Sequence, residues 1–142
     1  MIDMRITQLF FDREAVARRL DAATRKVFSR FGAFVRHTAR NSIRRRERPA
    51  PAGSPPSSHN GLLKKFIFFG YDPGARSVVI GPARLDQRDR GSAPALLEHG
   101  GRTTLARPEG RKRVTYLARP FMGPAFEKEI PGLPALWRGS VK

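Results

Sequence analysis

The chain has 142 residues, 39% of them hydrophobic, and a net charge of +16. That suffices for one domain with a modest core, and the low apolar share leaves part of the chain extended or loop-like. No apolar run is long enough to cross a bilayer, and cysteine is absent, which excludes disulfides and thiolate metal sites. Residues 1–11 lack the apolar block of a signal peptide, in keeping with synthesis in a cytoplasm. Residues 1–48 hold 13 Lys+Arg against 5 Asp+Glu, and residues 49–142 hold 15 against 7, so the charge is spread along the chain. Arginine outnumbers lysine 22 to 6, and its planar fork suits bidentate phosphate or carboxylate pairing. Two readings stay open: contact with nucleic acid or an acidic protein surface, and a solvated basic surface.

Residues 1–11 include MRITQLFF (Met4 to Phe11), β-prone and suited to a first strand. Residues 12–46 read as one long amphipathic helix. Val16, Leu20, Ala23, Val27, Phe31, Phe34 and Thr38 recur at spacings of three or four and form one apolar stripe. Arg18, Arg25, Arg36 and Arg40 fall on the opposite stripe. Asp12 suits an N-cap, and Phe11 with Val16 a hydrophobic staple. At ~1.5 Å per residue the helix spans roughly 50 Å. Gly32 in mid-run costs about 1 kcal/mol against alanine. It predicts a kink, a close contact, or two helices meeting there. Arg44, Arg45 and Arg46 at the far end complement the helix dipole, and a phosphate contact is the sharper reading of the same cluster.

Residues 47–61 (ERPAPAGSPPSSHNG) predict a stiff proline-rich linker, either a disordered loop or a strap along a neighbouring subunit. From 62 to 130 the chain predicts a β-sheet with short helices. Phe66 to Tyr71 (FIFFGY) and Ser77 to Ile80 form a hairpin around Asp72-Pro73-Gly74. Ala83 to Ser92 is a polar loop. Ala93 to His99 is a short helix stopped by Gly100-Gly101. Arg102 to Arg111 is loop-like, and Lys112 to Ala118 alternates as a strand. Phe121 to Ile130 is a short helix with Pro124 in its first turn. Residues 131–142 are a tail carrying the lone Trp137, a packing anchor. The order predicts an α+β fold: a long N-terminal helix packed on a small antiparallel sheet, with a short C-terminal helix.

Catalytic chemistry finds little support. His37, His59 and His99 lie in separate elements, and no nucleophile elbow, phosphate loop or metal-binding His motif occurs. No metal and no cofactor is implied. Lys64, Lys65, Phe66, Phe68, Phe69 and Tyr71 interleave charge and rings as a single-strand stacking platform would. Burial of both faces of that strand explains the same pattern, and would bring one face against another subunit. A basic helix with phenylalanine on its other face also fits a membrane surface, though sheet elements can cover that face instead.

Three stretches carry a resemblance. Asn60-Gly61-Leu62-Leu63-Lys64 follows Pro55-Pro56 and is similar to a "TG-x-L" segment that opens a hairpin. Leu96-Leu97-Glu98-His99-Gly100 is similar to a "VEFG" stretch. Ala118-Arg119-Pro120-Phe121-Met122-Gly123-Pro124-Ala125 is similar to "ARPF-x-x-PA", the most specific of the three. In this order they resemble the tail-completion or head–tail joining (neck) proteins of long-tailed bacteriophages. The resemblance covers most of residues 12–130. It departs at Asn60, where threonine is usual, at His99, where an aromatic is usual, and in the polar loop from Leu85 to Ser92. Read physically, Gly61 turns the chain toward the strand at Leu62, Gly100 caps a helix, and Pro120 holds a bend. Phe121 plugs the gap between sheet and helix, and Arg119 is placed to pair with a carboxylate such as Glu98.

The resemblance implies a non-enzymatic virion protein at the head–tail junction. It would form a homo-oligomer, with a hexameric ring favoured, among neighbouring neck, connector and tail proteins. DNA would pass through the lumen without sequence specificity, and no membrane is involved. Arg18, Arg25, Arg36, Arg40, Arg44, Arg45 and Arg46 would face DNA or an acidic neighbour. The proline linker and the tail would reach adjacent subunits. A basic non-specific nucleic-acid-binding module is the alternative, distinguished by its salt dependence. A nuclease would need a metal-binding acidic or histidine cluster, which the sequence lacks.

Overall fold

A computed structural model describes residues 12–83 and 93–141. The first-strand expectation at 1–11, and most of the polar loop at 83–92, lie outside the described residues. In chain order the elements are α1 (Arg13–Ser42), α2 (Leu62–Lys65), β1 (Ile67–Asp72), β2 (Ser77–Pro82), α3 (Ala93–His99), β3 (Gly101–Arg107), β4 (Gly110–Tyr116) and α4 (Met122–Glu129). A 3-10 turn (Ile130–Gly132) then leads into α5 (Leu133–Trp137). The fold is α+β, as the order of segments predicts. The strands form two separate antiparallel pairs, β1–β2 and β3–β4, in place of one small sheet.

α1 starts where the sequence predicts. Asp12 Oδ1 accepts from the Ala15 N–H at 2.9 Å, an N-cap that satisfies one orphan amide. The helix stops at Ser42, short of the predicted Arg46, because Ile43 turns extended and is buried in the core. Arg44 then bridges to Ser57 alongside the returning chain.

The core explains which helix face is covered. Buried α1 residues are Ala23, Val27, Phe31, Gly32, Val35 and Ala39, with Ile43 following. All but Gly32 follow one i+4 row. Such a row is inclined to the helix axis, and elements that cross a helix obliquely pack along it. Mixed steps of three and four, as in the predicted stripe, run parallel to the axis instead. Hence Val16, Leu20 and Phe34 stay exposed, while Val35 takes the place expected of Phe34. Thr38 is half-buried and donates its hydroxyl to Glu129 Oε1 at 2.6 Å.

β1 and β2 lie across α1 in the register Ile67↔Pro82 through Asp72↔Ser77. Four residues join them, with Asp72 Oδ1 accepting from the Gly74 and Ala75 N–H groups. The left-handed residue of this turn is Arg76 (φ 47°), not the glycine. Gly32 marks the closest approach of hairpin and helix. A Cβ there would sit 2.8 Å from Val78 Cγ2 and 2.9 Å from Phe69 Cδ2. Of the readings open at Gly32, the close contact therefore holds within one continuous helix. Alanine would gain about 1 kcal/mol of helix propensity, but forcing a methyl into a packed site costs about 1–3 kcal/mol. We expect Gly32→Ala to be destabilising by ~1 kcal/mol and to lower the melting midpoint by a few degrees. A midpoint at or above the parent's would mean that Phe69 and Val78 move aside freely.

The C-terminal residues are not a loose tail. α4 and α5 both pack on α1. The Trp137 ring meets Phe28 edge-on, with centroids 5.9 Å apart, the anchor role expected of it. Residues 47–61 are also not a free linker. The Gly53 N–H donates to Ala118 O at 2.8 Å and the Ser58 N–H to Arg44 O at 3.1 Å. Ala50, Pro56 and Ser58 are buried. Small residues let this backbone lie close against the body and pair its polar groups.

Candidate functional site

The second and third motif stretches meet in one joint. Its centre is Glu98, in the last turn of α3. Glu98 Oε2 accepts from the N–H groups of Phe121 (2.9 Å) and Met122 (3.0 Å), and Oε1 from that of Gly123 (2.7 Å). A helix leaves its first four N–H groups without an internal partner. At α4 three of these belong to Phe121, Met122 and Gly123, and the fourth position is Pro124, which has no N–H. One carboxylate and one proline thus account for the whole set, and the negative charge sits at the positive end of the helix dipole. A Cβ at Gly123 would lie 3.1 Å from Glu98 Oε1, so a larger residue there would need the carboxylate to give by a few tenths of an ångström.

The predicted Arg119–Glu98 pair does not form. Arg119 Nε donates to Ala50 O at 2.7 Å, and the same side chain donates to Leu117 O at 3.3 Å. Glu98 is already filled by backbone donors, and one carbonyl of the proline segment, Ala50 O, together with Leu117 O takes the guanidinium. Arg119 is therefore the tie between the joint and residues 47–61. Its own N–H donates to Leu97 O at 2.6 Å. Gly100 (φ 73°) closes α3, where a Cβ would come within 3.0 Å of Tyr116 O and Ala118 N. Pro120 is half-buried beside Phe121, which is buried in the core. At the first motif Gly61 is left-handed (φ 74°), and Asn60 Oδ1 accepts from the Leu62 N–H at 3.1 Å. Leu62 itself is exposed and opens the short helix α2, where the sequence suggested the start of a hairpin. Asparagine thus does at position 60 what a threonine oxygen can also do.

The basic residues divide into groups. Arg18 and Arg25 are exposed on α1, but acidic Asp12, Glu14 and Asp21 share that half of the helix. Asp21 is paired with Arg76 at 3.2 Å, both exposed, so the pair adds little stability. Arg36 is not on the solvent stripe: it is half-buried, and its Nε donates to Ile67 O of β1 at 2.7 Å. Arg40 is half-buried. Arg44, Arg45 and Arg46 are exposed beyond the helix end. Arg44 and Arg46 line a cleft of about 370 Å³ with Asn41, Ser54 and Ser57. No carboxylate among the described residues pairs with this cluster.

One basic surface was missed by sequence reasoning. The sequence predicts a loop over residues 102–111, yet β3 and β4 pair from Gly101↔Tyr116 to Arg107↔Gly110. Arg102, Thr104, Arg111, Arg113 and Thr115 are all exposed on this hairpin, while Thr103, Leu105, Val114 and Tyr116 are half-buried. The signal available was the alternation itself. Threonine and arginine at every second position read as a polar segment when no partner strand is in view.

Among the described residues no group of three His, Asp or Glu is placed to hold a metal ion. No helix among them is long and apolar enough to cross a membrane. The stacking-platform residues split: Phe69 faces Gly32, Ile67 is buried, and Phe68 is exposed with Phe66 edge-on to it at 6.3 Å. Comparison with protein families, with curated proteins and with solved structures finds no match to this chain.

Proposed function

We propose that the chain is a structural protein of the phage neck, acting without catalysis in tail completion or head–tail joining as a ring around the DNA channel. The observation that carries this reading is the joint. Residues of the second and third motif stretches serve one structural purpose, locking α3, α4 and the proline segment together through Glu98, Arg119 and Phe121. Side chains committed in this way to backbone groups, as those of Glu98 and Arg119 are, hold a fold. Two further features support assembly. Phe68 is 50% and Val79 66% exposed on the outer face of β1–β2, and Val16, Leu20 and Phe34 are exposed along α1. Apolar area of this kind is covered in proteins that work in contact with copies or neighbours. The spread positive charge suits a lumen through which DNA passes.

Sedimentation velocity with a short labelled duplex, at low and at physiological salt, tests the charge side of this reading. Binding should be weak, without sequence preference, and lost at physiological salt. Retention there would favour a dedicated nucleic-acid-binding module. Labelling of intact particles tests the location, and absence from the head–tail junction would end the neck assignment.

A further inference from the structure

We propose that the β3–β4 hairpin is the arm through which this protein holds DNA, with Arg102, Arg111 and Arg113 as its phosphate contacts. The inference rests on the lumen-charge part of the proposed function and replaces the α1 arginines as the principal contact. Residues opposite each other in an antiparallel pair share a face, and alternate residues along a strand share it too. The register Arg102↔Thr115, Thr104↔Arg113 and Ala106↔Arg111 therefore gathers three arginines and two threonines on one face. All five are exposed. No acidic residue lies on that face; the one carboxylate of the hairpin, Glu109, is in its turn.

No arginine stands directly opposite another, so the hairpin avoids the most costly like-charge pairs. Arg111 and Arg113 recur two residues apart along β4, about 6.8 Å. On the opposite face Leu105, Val114 and Tyr116 are half-buried and Lys112 is exposed. β1, β2, α4 and α5 make the main contacts with α1, and this hairpin does not join them, which leaves its face open to a partner.

The chemistry of the face selects the partner. Protein interfaces are built around aromatic and apolar residues, with charge at the rim. This face has neither aromatic nor large apolar side chains. Guanidinium forks and hydroxyls are the groups that contact phosphate oxygens, and a two-stranded ribbon has the dimensions to lie in a DNA groove. The match is to an evenly charged polyanion, read through its backbone and not its sequence.

The test is fluorescence anisotropy of a labelled duplex against salt, using the full chain and two charge-matched triple variants. One is Arg102→Gln/Arg111→Gln/Arg113→Gln. The other is Arg30→Gln/Lys128→Gln/Arg138→Gln, at exposed positions away from the arm. Each phosphate contact contributes about 0.9 to the slope of log K against log salt. The arm variant should lose about two to three units of slope, and about two orders of magnitude of affinity at 0.1 M salt. The control should lose less than about one unit. If the arm variant fails to fold, Arg113→Gln alone should still remove about one unit. Equal losses in the two triple variants would mean that total charge, not the arm, holds DNA, and would overturn the proposal. Parent-like DNA binding by the arm variant together with lost self-assembly would also overturn it, assigning the face to an acidic protein surface. The neck reading fails separately, by absence of the protein from the head–tail junction, whatever the slopes show.

Discussion

Phe121→Ala should destabilise the protein by about 3–5 kcal/mol, a large part of the ~5–15 kcal/mol that separates folded from unfolded domains. The Phe121 ring is 1% exposed and packs with Phe31, Val35, Ala39, Ile43, Ile67 and Ala125. It enters the core from the bend between β4 and α4, so truncation opens a void where α1, β1 and α4 meet. Two of those walls are helices, and close-packed walls relax only in part. Phe121→Leu keeps most of the volume and should lose clearly less. Denaturant unfolding followed by Trp137 fluorescence measures both variants. An alanine variant within ~1 kcal/mol of the parent, the range of ordinary substitutions, would show that this ring does not close the core.

Glu98→Ala is the second large effect. It strips three backbone N–H groups of their acceptor at once. Hydrogen bonds to a charged group contribute about 1.5–3 kcal/mol each, but the vacated amides regain water, so their sum overstates the loss. Removal of an N-cap alone costs about 0.5–2 kcal/mol. We expect a loss of about 2–4 kcal/mol and a melting midpoint lower by roughly 10 °C. Glu98→Gln should sit between parent and alanine. It keeps one acceptor oxygen, but turns an NH2 group toward a backbone N–H, donor against donor. Hydrogen exchange gives the specific readout, with faster exchange at Phe121, Met122 and Gly123 in both variants. Unchanged protection of those three amides would mean that Glu98 does not cap α4.

The joint also shows where reading the chain residue by residue reaches its limit. A carboxylate and an arginine in neighbouring motifs suggest an ion pair, and charge alone gives no reason to prefer another partner. The backbone decides otherwise. α4 begins with donors that must be satisfied, and Glu98 is brought to them by the turn at Gly100. Arg119 meets a carbonyl, Ala50 O, of a proline segment that composition describes as a loose linker. Proline and small residues do exclude a helix or strand there, but they do not exclude a segment laid flat against the body. The β3–β4 hairpin was illegible for a different reason. Its first strand has few apolar residues because one face is solvated and basic, so the usual hydrophobic alternation is weak.

Capping, periodicity and turn chemistry specify those local elements whose signals are short in range. These are the Asp12 cap, the long helix, the hairpin after FIFFGY, the stop at Gly100-Gly101 and the helix opened by Pro124. Each follows from capping, periodicity or turn chemistry within a few residues. Tertiary contacts select which row of α1 is buried: the covered residues follow an i+4 row, one of the ridges that helix packing uses, and not the axial stripe. They decide that Gly32 is a contact and not a kink, since Val78 and Phe69 arrive from more than thirty residues away. They also decide which arginines remain on the surface. Arg36 is drawn to a carbonyl of β1, while Arg102, Arg111 and Arg113 are brought to one face by the pairing of β3 with β4.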